Sequence, residues 1–393
     1  MKIVKLNKDA ERRVLAGHLW IFSNDINTQL SPLKNYTAGE LVCIESAFGK
    51  KIAIGYINPQ CVLCIRILSQ DINTNINTDF FVEKIKTAQL KRAHYFDAPF
   101  YRLVFGESDR LPGVVIDQYN AIIVVQINTA GMELLKDYLI EAIKKIINLD
   151  VIILKCDSTE RQNENLACYT EVVHGNLPET ILVSENNCNF YIAILDAQKT
   201  GWFYDHRLNR ATIATHCKNK RVLDVFSYCG AFSLPAAKAG ATQVIAIDRS
   251  EPALNNLLNN AKLNNLDNIK ILQGDALKLL DQLQQQGEKF DVIILDPPAL
   301  IKRKKDIPAG AKHYQKLNEA ALRLLNHNGI LFSASCSMHL SAADLLNCIR
   351  KAAINTQREI TVLEQCHQAP DHPIHPAIAE TSYLKGFIIT AVF

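Results

Sequence analysis

Cys336 and Asp296 are the residues of this chain whose types and surroundings best suit covalent chemistry. Cys336 lies in Ser335-Cys336-Ser337 at the end of an apolar run, forty positions after Asp296-Pro297-Pro298. A thiolate can add to C6 of a pyrimidine ring, and this addition makes C5 an enamine-like carbon that can attack an electrophile. A nearby carboxylate can hold the ring by accepting hydrogen bonds. The pair therefore predicts a covalent cysteine mechanism acting at carbon.

An ordinary cysteine thiol, with a pKa of about 8.5, is only a few per cent thiolate at neutral pH. The site must therefore supply positive charge or hydrogen-bond donors, and the sequence does not show which residue does so. A base is also needed to remove the C5 proton. His339 is a candidate for that base, and a helix-start or packing role is the alternative.

Acidic residues follow four apolar runs in the C-terminal half. They are Asp224, Asp248, Asp275 and Asp296. In open α/β sheets, ligands bind at the carboxyl ends of the strands, near the switch in strand order. Carboxylates are costly to bury without a partner, so this series predicts a ligand site at one sheet edge.

The turn after the first of these runs indicates which ligand is plausible. Residues 224–232 contain one glycine, Gly230, together with Phe226, Tyr228 and Phe232. A dinucleotide site needs G-x-G-x-x-G so that the backbone can approach a diphosphate, and this turn lacks that pattern. S-adenosylmethionine (SAM) has no phosphate and fits better.

The SAM site is predicted to use residues from several strand ends. Asp248 is expected to accept hydrogen bonds from the ribose hydroxyls, Asp275 to meet the adenine amino group, and Asp224 with the Gly230 turn to face the methionine end. The full candidate set is Asp224, Phe226, Tyr228, Gly230, Ala231, Phe232, Asp248, Arg249, Ser250, Asp275, Ala276 and Asp296. A helix N-cap role for Asp248 is the alternative and could coexist with ribose binding.

Strand and helix patterns alternate from about residue 205 to the end, which predicts a parallel sheet with helices on its faces. The predicted strands are 221–225, 243–248, 269–273, 290–296 and 329–334, with probable edge strands at 359–364 and 386–392. This sheet is what must bring the acidic residues and Cys336 together.

The preceding chain divides into two predicted segments. Residues 1–75 read as a small β-rich domain with strands at 40–45, 51–56 and 62–68, and residues 70–78 form a polar connector. Residues 76–195 read as an α+β domain with helices at 79–96, capped by Thr78 or Asp79, and at 132–147. Residues 196–393 form the third predicted domain.

Composition narrows the class of protein. The chain has 393 residues, 48% hydrophobic and 21% charged, without an apolar run long enough to span a bilayer, which predicts a cytoplasmic protein. Its eleven cysteines are irregularly spaced, which favours reduced thiols. Neither the CxxC at Cys61 and Cys64 nor the pair His372 and His375 has enough companions for a metal site, so no metal is expected.

Two basic regions are candidates for contact with nucleic acid. Residues 1–75 contain nine Lys and Arg against six Asp and Glu, and include Arg12 and Arg13. A second block, Lys302-Arg303-Lys304-Lys305, follows Asp-Pro-Pro closely. A solvated loop is the alternative interpretation of either region.

Several motifs resemble one family. Residues 224–232 read D-x-F-x-x-x-G-x-F, and with D-P-P this is similar to class I SAM-dependent methyltransferases that act on RNA. The stretches 198–210, from Gln198, and 335–340 resemble the ribosomal RNA large subunit methyltransferase I family, and the likeness runs nearly end to end. Residues 12–22 resemble the start of that family's PUA domain, and residues 107–113 its central domain.

This resemblance implies an α/β protein. The expected fold is a C-terminal doubly wound, Rossmann-like, seven-stranded methyltransferase sheet, with an N-terminal PUA-like β-barrel and a central α+β domain. It further implies SAM as cofactor, 5-methylcytosine in 23S rRNA as product, and free rRNA or an assembling large subunit as partner. A homodimer is compatible with it, whereas a membrane partner is not expected.

Two alternatives to cytosine-C5 methylation stay open. D-P-P also resembles the N-P-P-Y turn of amino methyltransferases, so a base nitrogen of rRNA could be the target. The chain could instead be a non-catalytic PUA-type RNA-binding protein. The D-P-P turn carries no cysteine, an arrangement that resembles single-cysteine uracil-C5 enzymes and leaves Cys336 as the motif-placed nucleophile.

Overall fold

The computed structural model describes residues 1–195, 197 and 199–392; Gln198, the first residue of one family-like stretch, lies outside them. Two compact units are formed, each from separated stretches of chain. The first contains residues 1–181, 193–204 and 370–381, and the second contains 182–192, 205–369 and 382–393. The three-domain division at 75/76 and 195/196 stays a prediction.

The N-terminal segment is a five-stranded sheet with strand order β1-β3-β4-β5-β2. Its elements are β1 (Lys2–Lys5), α1 (Glu11–Leu15), β2 (Trp20–Phe22), β3 (Leu41–Glu45), β4 (Lys51–Ile57) and β5 (Leu63–Ser69). The three strands predicted here are present. Alternating β-branched residues such as Ile44, Ile65 and Ile67 face one buried cluster.

The next segment forms a second five-stranded sheet, with order β10-β9-β8-β7-β6. Its elements are α2 (Thr78–Ala93), β6 (Phe100–Phe105), β7 (Val114–Tyr119), β8 (Ile122–Ile127), α3 (Ala130–Leu134), α4 (Lys136–Ile146), β9 (Val151–Cys156), α5 (Glu160–Asn163) and β10 (Tyr169–His174). A two-stranded sheet follows, made of β11 (Ile181–Glu185) and β12 (Cys188–Ile192).

Two helix predictions in this segment need correction. The N-cap of α2 is Asn77, whose side chain accepts a hydrogen bond from the Phe80 amide, and neither Thr78 nor Asp79 is the cap. The helix predicted at 132–147 is two helices, because the backbone leaves helical geometry at Leu135. Apolar periodicity continues through that residue, so the sequence pattern does not reveal the break.

The C-terminal sheet has seven strands in the order β15-β14-β13-β16-β17-β19-β18. Its elements are α6 (Arg207–Thr215), β13 (Arg221–Val225), α7 (Ser233–Lys238), β14 (Gln243–Asp248), α8 (Glu251–Leu263), β15 (Ile269–Gln273), α9 (Ala276–Gln285), β16 (Phe290–Leu295), α10 (Ile307–Leu324), β17 (Leu325–Ser335), α11 (Ala342–Asn355), β18 (Glu359–His367) and β19 (Lys385–Val392). The doubly wound α/β prediction is confirmed.

Strand order in this sheet decides where a ligand can bind. β13 to β17 run parallel, whereas β19 is antiparallel to β17 and to β18. After β13 the chain builds outward through β14 and β15, then returns to β16 on the other side of β13. The switch point therefore lies between the carboxyl ends of β13 and β16, where Asp224 and Asp296 are found.

A buried apolar cluster fixes these strand ends. Leu223, Ile293 and Leu331 lie on the three central strands, and α10 and α11 contribute Leu317 and Ile349. Because the core is continuous beneath the sheet, the loops at its carboxyl edge stand on a rigid base. Among the described residues, no helix combines the length and apolarity that a bilayer span requires.

Candidate active site

The turn after β13 has an unusual backbone. Phe226 and Tyr228 have positive φ of 70° and 49°, values that non-glycine residues rarely adopt, and Gly230 has φ of 91°. The amides of Phe226 and Ser227 both donate to the Ile247 carbonyl at 2.9 Å. Such conformations persist where the surrounding structure imposes them, and they are concentrated at functional sites.

Asp224 begins this turn and is fully enclosed. Its Oδ2 accepts a hydrogen bond from Ser233 Oγ at 2.6 Å. The pKa of Asp224 is raised to about 7, mainly by burial and in part by the neighbouring carboxylates of Asp296 and Asp248, while the Ser233 hydrogen bond acts in the opposite direction. Asp224 therefore interacts electrostatically with both other carboxylates.

Asp248 organises the next loop. Its carboxylate accepts hydrogen bonds from the amides of Tyr228 and Ser250, both at 2.9 Å. The N-cap of α8 is Ser250, whose Oγ accepts from Ala253, so Asp248 is not the cap. The carboxylate instead joins the β13 turn to the β14 turn.

Arg249 and Asp275 contact each other at the rim. Arg249 Nη2 lies 3.0 Å from Asp275 Oδ2, and both side chains are partly or largely exposed. Asp275 is also the N-cap of α9, which begins at Ala276, and the hydrogen bond from the Lys278 amide lowers the pKa of Asp275. The adenine contact proposed for Asp275 would compete with or add to these bonds.

Ala231 and Phe232 are buried in the turn. The Phe232 ring packs against His206 at 5.5 Å and Phe332 at 5.4 Å between ring centroids, with the Arg210 guanidinium over it. Phe232 thus shapes the floor of the site, and its contact with a cofactor stays a prediction.

The residues at this switch point fit SAM. The Ser227 hydroxyl is buried and has no hydrogen-bond partner among the described residues. Burial, together with repulsion from the Asp296 and Asp248 carboxylates, raises the pKa of Asp224, and a ligand bearing an ammonium and a sulfonium would compensate the negative charge. An orphaned hydroxyl and an excess of negative charge are what a zwitterionic, sulfonium-bearing ligand would satisfy.

His206 is part of the site and was not predicted as a site residue. Its Nε2 lies 3.1 Å from Asp296 Oδ1, and Asn209 contacts Nδ1 at 3.0 Å, so both ring nitrogens are held. Burial lowers the pKa of His206, but the Asp296 carboxylate outweighs it and the net change is upward. Asp296 itself keeps about a quarter of its side chain exposed.

Cys336 lies just past the end of β17, next to the Asp-Pro-Pro turn. Its Sγ is 4.0 Å from the Pro297 carbonyl oxygen. Eight of the eleven cysteines are buried, whereas Cys336 is partly accessible, and none forms a disulfide. The two motifs that the sequence separates by forty residues therefore meet at one sheet edge.

The two serines beside Cys336 anchor it. Ser335 Oγ donates to Tyr314 Oη at 2.8 Å, and Ser337 Oγ lies 3.0 Å from the same hydroxyl. Ser337 Oγ also accepts from the Ile301 amide at 3.1 Å. Tyr314, which the sequence did not single out, thus connects the cysteine loop to α10 and to the chain that follows Asp-Pro-Pro.

Lys385 is another residue near Cys336 that was not predicted from the sequence. This buried residue begins β19, opposite Ser335 in the strand register, and its Nζ donates to the Ser337 and Leu340 carbonyls at 2.6 and 2.7 Å. It interacts electrostatically with Cys336. No local pattern links a lysine near the C-terminus to a cysteine forty-nine residues earlier.

Comparison with known proteins identifies the family. A family model described as S-adenosylmethionine-dependent methyltransferase matches residues 156–387, and a PUA-like domain model matches residues 4–70. The ribosomal RNA large subunit methyltransferase I of Tolumonas auensis is 36% identical over 396 residues, covering 99% of each chain. The protein of that name from Shewanella frigidimarina is 34% identical, covering 98% of each.

This chain belongs to the ribosomal RNA large subunit methyltransferase I family. Solved structures show the same fold. SMU.776, crystallised with S-adenosylhomocysteine (SAH), has a TM-score of 0.85 at 22% identity and covers 99% of this chain and 100% of its own. A SAM-dependent methyltransferase from Streptococcus mutans has a TM-score of 0.83 at the same identity and coverage. SAM is therefore the cofactor of the family, as predicted.

The basic residues predicted to contact RNA lie on the surface, and some of them form ion pairs. Arg12 pairs with Asp9 at 2.8 Å and Arg13 with Asp25 at 2.5 Å. Lys302, Arg303, Lys304 and Lys305 are all exposed, and Arg303 pairs with Asp306 at 3.1 Å. Both candidate regions are thus exposed, and their contact with RNA stays a prediction.

The structure also gives the surroundings of the candidate base and of two residues in a family-like stretch. His339 lies in the half-buried loop after Cys336, and its role as a base stays a prediction. Asp205 and Arg207, which lie in the family-like stretch 198–210, contact Tyr383 and Glu185 respectively. Within the described residues, no cluster of three or more His, Cys, Asp or Glu could hold a metal ion.

Proposed function

We propose that this protein is a SAM-dependent methyltransferase of large-subunit ribosomal RNA that forms 5-methylcytosine in 23S rRNA through Cys336. The family supports methyl transfer with SAM, and its curated members carry rRNA in their name. The observation that carries the cytosine-C5 chemistry is the 4.0 Å approach of Cys336 Sγ to the Asp-Pro-Pro turn. A partly accessible thiol at that position suits attack on a base.

Cys336 acts first in the proposed mechanism. Its thiolate forms a bond to C6, and the electron pair of the C5–C6 double bond moves to C5. SAM, when bound, supplies an electrophilic methyl group. After C5 has gained that methyl group, a base takes the C5 proton, the double bond reforms, and Cys336 leaves as thiolate.

Asp296 is proposed to accept hydrogen bonds from the N3/N4 edge of the base and to favour protonation at N3. One carboxylate oxygen is already held by His206, which fixes the rotation of the carboxylate and leaves the other oxygen for the base. His206 is thus a positioning residue in this proposal.

Target access and cofactor contacts complete the proposal. C5 and C6 cannot be reached inside a stack, so the cytosine must be single-stranded or flipped out. The proposed cofactor contacts are those of the sequence analysis, centred on Asp224, Asp248 and Asp275. Use of free rRNA or an assembling subunit, homodimer formation and a cytoplasmic location stay predictions.

The proposal is tested with rRNA from a strain that lacks the protein. The rRNA is incubated with labelled SAM and digested, and the nucleosides are identified by mass spectrometry. We expect 5-methylcytidine with the wild type, and a loss of rate of more than about a thousandfold with Cys336→Ala. Cys61→Ala, which changes another partly accessible cysteine, is the matched control and should retain the rate.

Other products distinguish the alternatives. N-methylcytidine or N-methylguanosine would show a base nitrogen as target, and near-normal C5 methylation by Cys336→Ala would exclude the covalent mechanism. RNA containing 5-fluorocytidine should trap a covalent complex, because C5 then carries no removable proton. RNA binding without SAM binding would instead favour the non-catalytic alternative.

A further inference from the structure

A buried lysine lies directly behind the Cys336 loop. Lys385 is 8% exposed. Its ammonium group has three N–H donors, and two of them bond to the carbonyls of Ser337 and Leu340 at 2.6 and 2.7 Å. These carbonyls belong to the loop that starts at Cys336, so Lys385 joins both ends of the loop to β19.

The lysine is fixed from its own strand as well. Lys385 pairs with Ser335 across β17 and β19, and with His367 across β18 and β19. Ser335 and Ser337 are both held by Tyr314. These contacts immobilise the backbone on either side of Cys336. Of the four residues that make them, Ser335, Ser337, Tyr314 and Lys385, the lysine is the one that carries a positive charge.

Electrostatics link the lysine to the thiol. Burial lowers the pKa of Lys385 to about 8, and the interaction with Cys336 opposes this change. The ammonium form therefore predominates at pH 7. Other titratable groups on neighbouring elements are Asp296 after β16, Tyr314 on α10, His339 in the loop and His367 on β18. None of these neighbours is a lysine or an arginine, so Lys385 is the one ammonium group of this set.

We propose that Lys385 is a positioning residue that fixes the Cys336 loop and holds a buried positive charge beside the thiol, favouring the thiolate. A nearby cation is a recognised way to activate a cysteine. The inference rests on the proposed function, because it assigns the group that activates the proposed nucleophile. It fills the requirement for positive charge that the sequence left unassigned.

The test measures thiol reactivity without RNA or SAM. Alkylation of Cys336 by iodoacetamide is followed from pH 6 to pH 10 by mass spectrometry of the Cys336 peptide, with exposed Cys168 as internal reference. Lys385→Gln keeps a donor for the carbonyls but removes the charge, and Lys385→Met removes both. Lys385→Arg keeps the charge.

We expect the rate at pH 7 to fall about tenfold in Lys385→Gln and Lys385→Met, with the midpoint of the profile about one pH unit higher. Lys385→Arg should stay within about threefold of the wild type. Tyr314→Phe loosens the loop without changing its charge, and is expected to alter the high-pH plateau but not the midpoint.

Unchanged midpoints in the folded neutral variants would overturn the role of Lys385. So would a midpoint that moves equally in Tyr314→Phe, because the effect would then arise from loop geometry alone. These results are independent of the proposed product. Retention of C5 methylation by Cys336→Ala would refute the proposed function, whatever the titration of the thiol shows.

Discussion

At the scale of single residues, burial and like charge raise the pKa of Asp224. Asp224 is enclosed, whereas Asp248 and Asp296 keep contact with amides, an imidazole or solvent. Burial and these neighbours hold the pKa of Asp224 at about 7. Binding of a cationic ligand should therefore be coupled to loss of the Asp224 proton near neutral pH.

Asp224→Asn tests this coupling. A carboxylate attracts the ammonium group of SAH and a neutral carboxyl does not, so SAH affinity of the wild type should rise by about tenfold from pH 6 to pH 8. The asparagine variant should lose most of that rise. Isothermal titration calorimetry at three pH values measures the effect.

The effect of pH on folding stability has the opposite sign to its effect on SAH affinity. Because the pKa of Asp224 is raised in the folded protein, its contribution to stability is greatest below about pH 4 and is lost as pH rises through about 7. Asp224→Asn should therefore gain stability relative to the wild type at pH 8. Exposed Asp267→Asn is the control for both measurements. If SAH affinity rose with pH as steeply in Asp224→Asn as in this control, the coupling would not arise from Asp224.

At the scale of elements, the segment from Asp296 to α10 combines two functions. Its start carries the acidic residue and contacts Cys336 through Pro297, and its middle is pinned by the Ile301 amide to Ser337. The basic block 302–305 then precedes α10 and is exposed to solvent. Because the block follows Asp296 closely in the sequence, we expect it to contact the phosphates that flank a bound base.

The triple variant Lys302→Gln, Lys304→Gln and Lys305→Gln tests this role. Each phosphate contact to a single strand contributes about 0.7 to the slope of log affinity against log salt, so three lost contacts should reduce the slope by about 2. Fluorescence anisotropy with an rRNA fragment at several salt concentrations measures it. Weaker binding at low salt should accompany the smaller slope.

A matched triple variant controls for net charge. Lys218, Lys220 and Lys238 are equally exposed but lie by the amino end of β13 and the end of α7, at the opposite edge of the sheet. Changing these three to glutamine should leave the slope unaltered. An equal loss in both triple variants would mean that overall charge, and not the 302–305 block, sets RNA affinity.

At the scale of the whole molecule, the unit that carries the site is discontinuous in sequence. It includes residues 182–192, which precede the predicted boundary at 195/196. Glu185 in this stretch contacts Arg210 at 2.6 Å and Arg207 at 3.3 Å, with the Glu185 and Arg210 side chains almost fully buried. The methyltransferase unit therefore depends on residues outside the last predicted domain.

Glu185→Gln in the full chain tests this dependence. Removal of one partner from a buried ion pair leaves an uncompensated charge, so the free energy of unfolding should fall by about 3 kcal/mol or more. Denaturant unfolding measures it, with exposed Glu179→Gln as control. A fragment of residues 196–393 should likewise be less stable than one of residues 178–393; equal stability of the two would support the boundary at 195/196.

Much of this fold was predictable because strands and caps leave local signals. β13, β14 and β15 have the predicted bounds, and the other strands of the C-terminal sheet differ by a few residues at most. Asn77 and the break at Leu135 were missed because several polar residues compete for a cap and the apolar period continues through the break. Local patterns do not resolve such competition.

The sequence by itself determined the family, the cofactor and the motifs that carry the chemistry, since these depend on residue types at short spacing. The acidic series and Cys336 needed only the rule that parallel strands end at one edge. The tertiary structure alone decided which groups support them. His206, Tyr314 and Lys385 reach the site from distant parts of the chain, through strand order and register that local sequence does not encode.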